Sequence, residues 1–270
     1  MNKIYFSDLD GTLLKDDHHF SQKTKAVIKQ IYEEGNMLIP VTARGMNNLF
    51  RLAKDLELDK LGGIICGNNG ATVYSFKEEK YLIKKELSRD LIKQIWDRYY
   101  NKKKLKVTFN GESEIYGFGP SKQPEFWAKV MGNKYIVANS VEDIKESITH
   151  LVIVIKKNDA HKIQEEFDEL VELFGDIANL VIYDGRAIEV AVKDVDKGQT
   201  VKEIVKILDP ESKCVTFGFG DGPNDFSLLK AVDISVAMKQ GNEDLKKLSK
   251  FVTDENYNDG VANFIANYKK

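Results

Sequence analysis

The sequence predicts an α/β protein in which a parallel sheet carries helices on both faces and an α+β segment is inserted into the chain. The main observation is that short apolar strands alternate with amphipathic helices over the first 66 residues and again after Asp194. This alternation is typical of parallel sheets covered by helices. The stretch between these two parts lacks the alternation, which indicates a separate domain.

The first part of the chain contains three predicted strands and two predicted helices. Apolar runs indicate strands at residues 4–6, 37–41 and 63–66. Helices are expected at residues 21–34 and 47–56. Ser21 is suited to begin the first helix because a serine hydroxyl can accept a hydrogen bond from the free N–H groups of the first turn.

The middle of the chain is expected to form an α+β domain, and the last part to complete the parallel sheet. In the middle, helices are predicted at 88–100 and 160–174 and strands at 151–155, 180–183 and 187–191. Afterwards, helices are predicted at 198–208, 225–231 and 260–268 and strands at 215–217, 234–237 and 251–252. The predicted domains are a core formed by residues 1–81 and 191–270 and an insertion formed by residues 82–190.

The composition argues against a nucleic acid or a membrane as partner. The 40 Lys and Arg against 42 Asp and Glu leave a net charge of −2, so no overall field attracts a polyanion. No apolar run approaches the roughly 18 residues of a spanning helix, and no basic-then-apolar leader precedes the first strand. Cys66 and Cys214 lie in apolar runs and are expected to be free thiols. We expect a cytoplasmic protein, monomeric or a small homo-oligomer.

Two aspartates directly after the first strand form the most informative motif. Asp8 and Asp10 are two residues apart, so on an extended segment both side chains point to the same side. Gly11 permits a tight turn after them, and Thr12 is expected to hydrogen-bond back onto this turn. Paired carboxylates suit Mg²⁺, which prefers hard oxygen ligands, and an aspartate can also be a nucleophile that carries a phosphoryl group. The plainer interpretation is an Asx-rich turn whose carboxylates only cap loops.

Two further segments place a hydroxyl and two cations at predicted helix starts. Thr42 and the N–H groups around it can hold phosphate oxygens, and Arg44 can bind phosphate or carboxylate through its forked guanidinium. Lys197 opens a helix, where the helix dipole disfavours a cation unless it faces an anion. Taken singly, a helix cap, a surface ion pair and a surface lysine also explain these residues.

The fourth segment brings acids into a glycine turn. Asp221 follows a strand that ends in Gly218 and Gly220, and Asn224 and Asp225 begin the next helix. The glycines look like part of a dinucleotide-binding fingerprint, but the third glycine and the long helix are missing. Acids in the turn fit a second set of Mg²⁺ ligands better. Because ligands bind open α/β sheets at the carboxyl ends of strands, the four segments can converge on one metal and one anion.

In order and context, these segments resemble the four motifs of the haloacid dehalogenase superfamily of aspartyl phosphatases. The residues concerned are Asp8-Leu9-Asp10-Gly11-Thr12, then Thr42, then Lys197, then Gly220-Asp221-Gly222-Pro223-Asn224-Asp225. With Asn68-Asn69-Gly70-Ala71 and Asp259-Gly260-Val261-Ala262, the chain is most similar to the Cof-type branch of sugar phosphatases. The resemblance covers about residues 1–80 and 190–270 and implies a Rossmann-like core with a C2-type cap.

The resemblance also implies roles for single residues. Asp8 would attack phosphorus, and Asp10 would protonate the leaving alcohol and then deprotonate water. Mg²⁺ would be held by Asp8, the main-chain carbonyl of Asp10 and Asp221, with Asp225 acting through a water or by orienting the other ligands. The phosphate-binding residues would be Thr42, Arg44, Lys197 and Asn224, and Arg44 could instead meet the far side of the substrate.

The sequence thus predicts a Mg²⁺-dependent phosphatase of small phosphorylated metabolites, with sugar phosphates as the favoured class. One alternative is a phosphomutase on the same core, which would need several convergent cations for a second phosphate. The insertion has few arginines, Arg89, Arg98 and Arg186, which weighs against that alternative. The other alternative is a sugar-phosphate-binding regulator without catalysis.

Overall fold

The chain divides into two compact units. The fold is a computed structural model that describes residues 2–268 apart from 101, 103–104, 121, 131–132 and 184, and leaves out the side chains of 123, 124, 127, 130 and 183. Unit 1 comprises Met1–Arg44, Leu49–Lys84 and Asp196–Lys270, and unit 2 comprises Gly45–Asn48 and Lys85–Val195. The assignment of residues 82–190 as a cap domain stays a prediction.

The chain up to Lys84 begins the core of unit 1. Its elements are β1 (Lys3–Ser7), α1 (Gln22–Glu33), β2 (Met37–Pro40), α2 (Met46–Asp55), β3 (Ile64–Gly67), β4 (Thr72–Ser75) and β5 (Lys80–Lys84). The side chain of Ser21 caps α1 as predicted, since its Oγ accepts a hydrogen bond from the N–H of Thr24 at 2.9 Å. Strands β3, β4 and β5 form a small antiparallel sheet.

Unit 2 is built around one six-stranded sheet. Its elements are α3 (Arg89–Tyr99), β6 (Leu105–Asn110), β7 (Glu114–Gly117), α4 (Lys122–Val130), β8 (Lys134–Val137), β9 (His150–Ile155), α5 (Ile163–Phe174), β10 (Ala178–Tyr183) and β11 (Ala187–Val192). The strand order is β10-β11-β9-β6-β7-β8, and all pairs are antiparallel except β7 with β8. Apolar residues of α3, α5 and the sheet form the core of this unit, among them Leu91, Ile95, Phe109, Ile153 and Phe174.

The last part of the chain completes the parallel sheet of unit 1. It contains α6 (Lys197–Leu208), β12 (Val215–Gly220), α7 (Phe226–Lys230), β13 (Ile234–Met238), α8 (Glu243–Leu248), β14 (Phe251–Thr253) and α9 (Gly260–Asn267). The strand order is β14-β13-β12-β1-β2, and every pair is parallel. Because β1 lies between β12 and β2, the segments that follow these three strands emerge at the same edge of the sheet.

The predicted fold class is confirmed, and the differences lie in short elements. Residues Lys80–Lys84 form β5 and pair with β4, so the predicted start of the insertion at residue 82 falls within a strand of unit 1. Strand β3 is joined to the segment after β2 by a bridge between Val41 and Cys66, but it belongs to the small antiparallel sheet. The six-residue helix α8 and the four-residue strands β4 and β8 were not predicted, because such short elements carry little periodicity. Among the described residues, no helix has the length and apolarity required to cross a bilayer.

Candidate active site

Asp8 is fixed where β1 and β12 lie side by side. Its N–H donates to the carbonyl of Phe219 at 3.0 Å, which continues the β1–β12 ladder by one residue. The chain then makes a wide turn, in which Gly11 has a φ of +77°. A Cβ on Gly11 would lie 2.5 Å from Oδ2 of Asp221, so glycine is required both by the backbone conformation and by the close approach.

Lys197 connects two of the predicted acids inside the protein. It is 1% exposed at the first position of α6. Its Nζ lies 2.5 Å from Oδ1 of Asp8 and 2.6 Å from Oδ1 of Asp225. Burying an ammonium group is costly unless it is paired, and these two carboxylates provide the pairing. The unfavourable position of a cation at a helix start is therefore explained by buried anions.

The turn after β12 holds the other two carboxylates. Oδ2 of Asp225 accepts hydrogen bonds from the N–H groups of Asp221 at 3.0 Å and Gly222 at 2.9 Å. Oδ1 of Asp221 accepts a hydrogen bond from the hydroxyl of Thr12 at 2.7 Å. Thr12 was expected to bond back onto its own turn, and it joins the first and fourth motifs instead. Both acids are thus held by neighbours before any ligand is present.

The three carboxylates form a group that fits a divalent cation. One oxygen each from Asp8, Asp221 and Asp225 lies within 4.8 Å of the others. When ionised, these three groups carry three negative charges against the single positive charge of Lys197. Oxygen donors with an excess of two negative charges match the preference of Mg²⁺.

Burial shapes the electrostatics of this group. It raises the pKa of Asp8 to about 7, although Lys197 opposes the rise. Burial also raises the pKa of Asp221, while the hydrogen bond from Thr12 opposes it. For Lys197, burial alone lowers the pKa, but the carboxylates of Asp8 and Asp225 outweigh burial and raise it. A cation bound to the same oxygens would favour the ionised carboxylates.

The Asp10 side chain lies in a different polar cluster. Nε of Arg44 donates to Oδ2 of Asp10 at 2.7 Å, and Nη2 of Arg44 donates to Oδ1. The Asp10 side chain is 45% exposed, whereas that of Asp8 is 9% exposed. The Asp10 carboxylate is not part of the three-carboxylate group, and metal binding by its main-chain carbonyl stays a prediction.

Thr42, Arg44 and Asn224 are linked through the segment after β3. Thr42 is buried, its Oγ1 accepts from the N–H of Arg44 at 3.1 Å, and its carbonyl accepts from the N–H of Asn69 at 2.9 Å. Nδ2 of Asn224 donates to Oδ1 of Asn69 at 3.2 Å. Asn69, in a left-handed conformation with φ +53°, thus joins the second and fourth segments. Their roles in phosphate binding stay predictions.

One neighbour of the predicted site was missed by the sequence analysis. His18 lies beside the Asp10–Arg44 pair, with Nδ1 3.3 Å from Nη2 of Arg44 and 3.5 Å from Oδ1 of Asp10. It lies in a polar turn with no periodicity, and only its distance of eight residues from Asp10 could have suggested proximity.

The chain is similar to known hydrolases along nearly its whole length. A family profile described as haloacid dehalogenase-like hydrolase matches residues 5–265. A curated relative from Bacillus subtilis, 5-amino-6-(5-phospho-D-ribitylamino)uracil phosphatase YwtE, is 27% identical, and the alignment covers 96% of this chain and 95% of the relative.

Solved structures share the fold over nearly their full length. A haloacid dehalogenase-like hydrolase from Bacteroides thetaiotaomicron has a TM-score of 0.85 at 23% identity and covers 98% of this chain and 99% of its own. The structure described as the subclass IIB sugar phosphatase BT4131 has a TM-score of 0.73 at 21% identity and covers 98% of both chains. The chain therefore belongs to the haloacid dehalogenase-like hydrolase family, as its four motifs predicted, and its enzyme class is that of the phosphatases in this family.

Proposed function

We propose that the protein is a Mg²⁺-dependent phosphatase that hydrolyses small phosphorylated metabolites, with sugar phosphates as the favoured class, through an aspartyl-phosphate. The observation that carries this proposal is the buried Asp8 carboxylate, which is paired with Lys197 and grouped with Asp221 and Asp225. An aspartate in this setting is aligned as a nucleophile and has a cation beside it to offset phosphoryl charge. The names of the relatives, a phosphatase and a sugar phosphatase, support the substrate class.

In the proposed reaction, the two acids have the roles that the family resemblance implies. An oxygen of Asp8 attacks phosphorus, the bond from phosphorus to the alcohol oxygen breaks, and Asp10 gives its proton to that oxygen. Asp10 then takes a proton from water, whose oxygen attacks phosphorus and releases Asp8. Splitting one displacement into two lowers each barrier, and proton transfer by a positioned carboxyl contributes about 10²–10⁴-fold.

The remaining residues bind and orient the phosphoryl group. Lys197 offsets the negative charge that develops on its oxygens. The family resemblance implies that Thr42 and Asn224 hold those oxygens, and that Arg44 binds either the phosphate or another part of the site. Asp8, Asp221 and Asp225 would hold Mg²⁺, which when bound supplies further positive charge against the phosphoryl oxygens.

Unit 2 is proposed to act as the cap domain that selects the leaving group. Two of its three arginines are already engaged within the unit: Nη1 of Arg89 donates to the carbonyl of Ile144 at 2.6 Å, and Arg98 pairs with Glu166 and Glu169. These two arginines are therefore already used in contacts within the unit, whereas a mutase would require several cations that converge on a second phosphate. This observation favours hydrolysis of a monophosphate over the mutase alternative. A cytoplasmic location stays a prediction.

The proposal is tested by turnover of p-nitrophenyl phosphate. Activity should vanish in excess EDTA and return with Mg²⁺ more fully than with Ca²⁺, because Mg²⁺ keeps a tighter octahedral geometry. Asp8→Asn should show no turnover above background. Asp55→Asn is the matched control, because Asp55 is exposed and pairs with Lys25 at the surface. Full activity in excess EDTA, or in Asp8→Asn, would show that the proposed mechanism is wrong. Binding of a sugar phosphate without turnover would favour the alternative of a non-catalytic sugar-phosphate-binding regulator.

A further inference from the structure

The Asp10 carboxylate is held by a polar cluster of its own. The guanidinium of Arg44 contacts both of its oxygens, with Nε 2.7 Å from Oδ2. Nδ1 of His18 lies 3.3 Å from Nη2 of Arg44 and 3.5 Å from Oδ1 of Asp10. A forked guanidinium fixes the plane of a carboxylate as well as its position, which an ammonium group cannot do.

The backbone around His18 is held in an uncommon conformation. His18 has a φ of +61°, which is costly for a residue other than glycine. A turn keeps it there, since the N–H of His18 donates to the carbonyl of Lys15 at 2.9 Å and the N–H of Lys15 donates to the carbonyl of His19 at 3.0 Å. Residues in such conformations persist where the surrounding structure requires them, often at functional sites. Here the turn places the imidazole beside the Asp10–Arg44 pair.

We infer that Arg44, supported by His18, is a positioning residue that orients the Asp10 carboxyl group for proton transfer to and from the alcohol and water oxygens. This inference rests on the proposed function, and it gives Arg44 a role that differs from phosphate binding. In the acid step, the contact between Nη2 and Oδ1 opens so that Oδ1 can present its proton to the leaving oxygen. The contact between Nε and Oδ2 remains and keeps the carboxyl group in place.

The test compares esters whose alcohols differ in their need for a proton. The quantity measured is kcat/KM, which covers all steps up to departure of the alcohol, for p-nitrophenyl phosphate and for a series of alkyl phosphates. The p-nitrophenolate ion leaves without an acid, whereas an alkoxide does not. Asp10→Asn should therefore lower kcat/KM by about 10²–10⁴-fold for alkyl phosphates and by far less for p-nitrophenyl phosphate.

Arg44→Ala and Arg44→Lys should follow the same pattern. In each variant, kcat/KM should fall at least about 10-fold more for alkyl phosphates than for p-nitrophenyl phosphate. The reason is that neither alanine nor lysine can donate to both oxygens of a carboxylate in a fixed plane. His18→Ala should show a smaller loss in the same direction. When Asp10→Asn is already present, Arg44→Ala should lower kcat/KM for alkyl phosphates by no more than about a further 3-fold, since the effects of coupled residues are not additive. Arg51→Ala, which alters an exposed arginine of α2, is the matched control and should change neither ester.

Two results would overturn the inference, and they are distinguishable. If Arg44→Ala lowers kcat/KM equally for all esters and weakens inhibition by inorganic phosphate in parallel, Arg44 only binds phosphate. If Asp10→Asn itself shows no dependence on the leaving group, the acid role in the proposed function is wrong and the inference is lost with it. Should Arg44→Ala fail to fold, Arg44→Lys and His18→Ala decide the question.

Discussion

Replacing Lys197 by methionine should destabilise unit 1 strongly, because it leaves buried carboxylates without their cation. The lysine is 1% exposed and makes two close ion pairs, at 2.5 Å with Asp8 and 2.6 Å with Asp225. Methionine retains much of the apolar stem, so the loss is mainly electrostatic. Removing one partner of a buried ion pair costs about 3–5 kcal/mol, and a typical domain has only about 5–15 kcal/mol in total. We expect a loss of about 3–5 kcal/mol when no metal is bound.

The assay must report on unit 1. Both tryptophans, Trp96 and Trp127, belong to unit 2, so their fluorescence would follow the wrong part of the protein. Hydrogen exchange read by mass spectrometry on peptides from β1 and β12 gives the opening free energy at the site itself. Measured in chelator, this free energy should fall by the stated amount in Lys197→Met. Mg²⁺ should restore part of the loss, because a ligand that binds only the folded state stabilises it.

The control for this measurement is a substitution of an exposed lysine in the same helix. Lys202→Met changes an exposed lysine of the same helix and should stay within about 0.5 kcal/mol of the original protein. If Lys197→Met loses less than about 1 kcal/mol in chelator, the carboxylates do not depend on this ammonium. The electrostatic account of the site would then be wrong.

Three further predictions concern the turn, the acid response of unit 2 and substrate choice. Gly11→Ala should raise the Mg²⁺ concentration for half-maximal activity by at least about 10-fold, because its Cβ would displace Asp221; Gly35→Ala, at φ +74° with no neighbour within 4 Å, should leave this concentration unchanged. Burial lowers the pKa of His150 to about 4, so the folded state binds fewer protons than the unfolded one, and tryptophan fluorescence should show unit 2 losing stability as the pH falls from about 6.5 to about 4. His150→Gln should remove this loss, exposed His161→Gln should not, and equal acid responses would contradict the assignment. Arg186→Ala should change the order of preference among phosphate esters but alter p-nitrophenyl phosphate turnover far less than Asp221→Asn does; an unchanged preference would contradict a specificity role for unit 2.

The sequence was sufficient to predict the parts of the site that follow strands directly. Asp8 and Asp221 come immediately after β1 and β12, and neighbouring parallel strands necessarily bring such positions together. The apolar and amphipathic periodicity that defined the strands and helices likewise predicted the parallel sheet. For these residues, local pattern and topology determine position without knowledge of side-chain packing.

Other parts of the site depend on contacts that no local pattern contains. Thr12 bonds to Asp221 rather than to its own turn, and the Asp10 carboxylate is held by Arg44 and His18 rather than grouped with Asp8. Each of these contacts depends on the rotamer of a side chain in a loop, which hydrophobic periodicity does not specify. The short elements were missed for a related reason, since four to six residues provide too little periodicity to distinguish a strand or helix from a loop.

Trapping the phosphoenzyme tests the central claim most directly. Asp10→Asn should slow hydrolysis of the intermediate, so brief reaction with a ³²P-labelled ester in Mg²⁺ followed by an acid quench should leave label on the protein. Peptide mapping should place the label on Asp8, and Asp8→Asn combined with Asp10→Asn should remain unlabelled. Label on any other residue would contradict an aspartyl-phosphate at Asp8. The same conclusion would follow if the unsubstituted enzyme hydrolyses the ester but Asp10→Asn acquires no label.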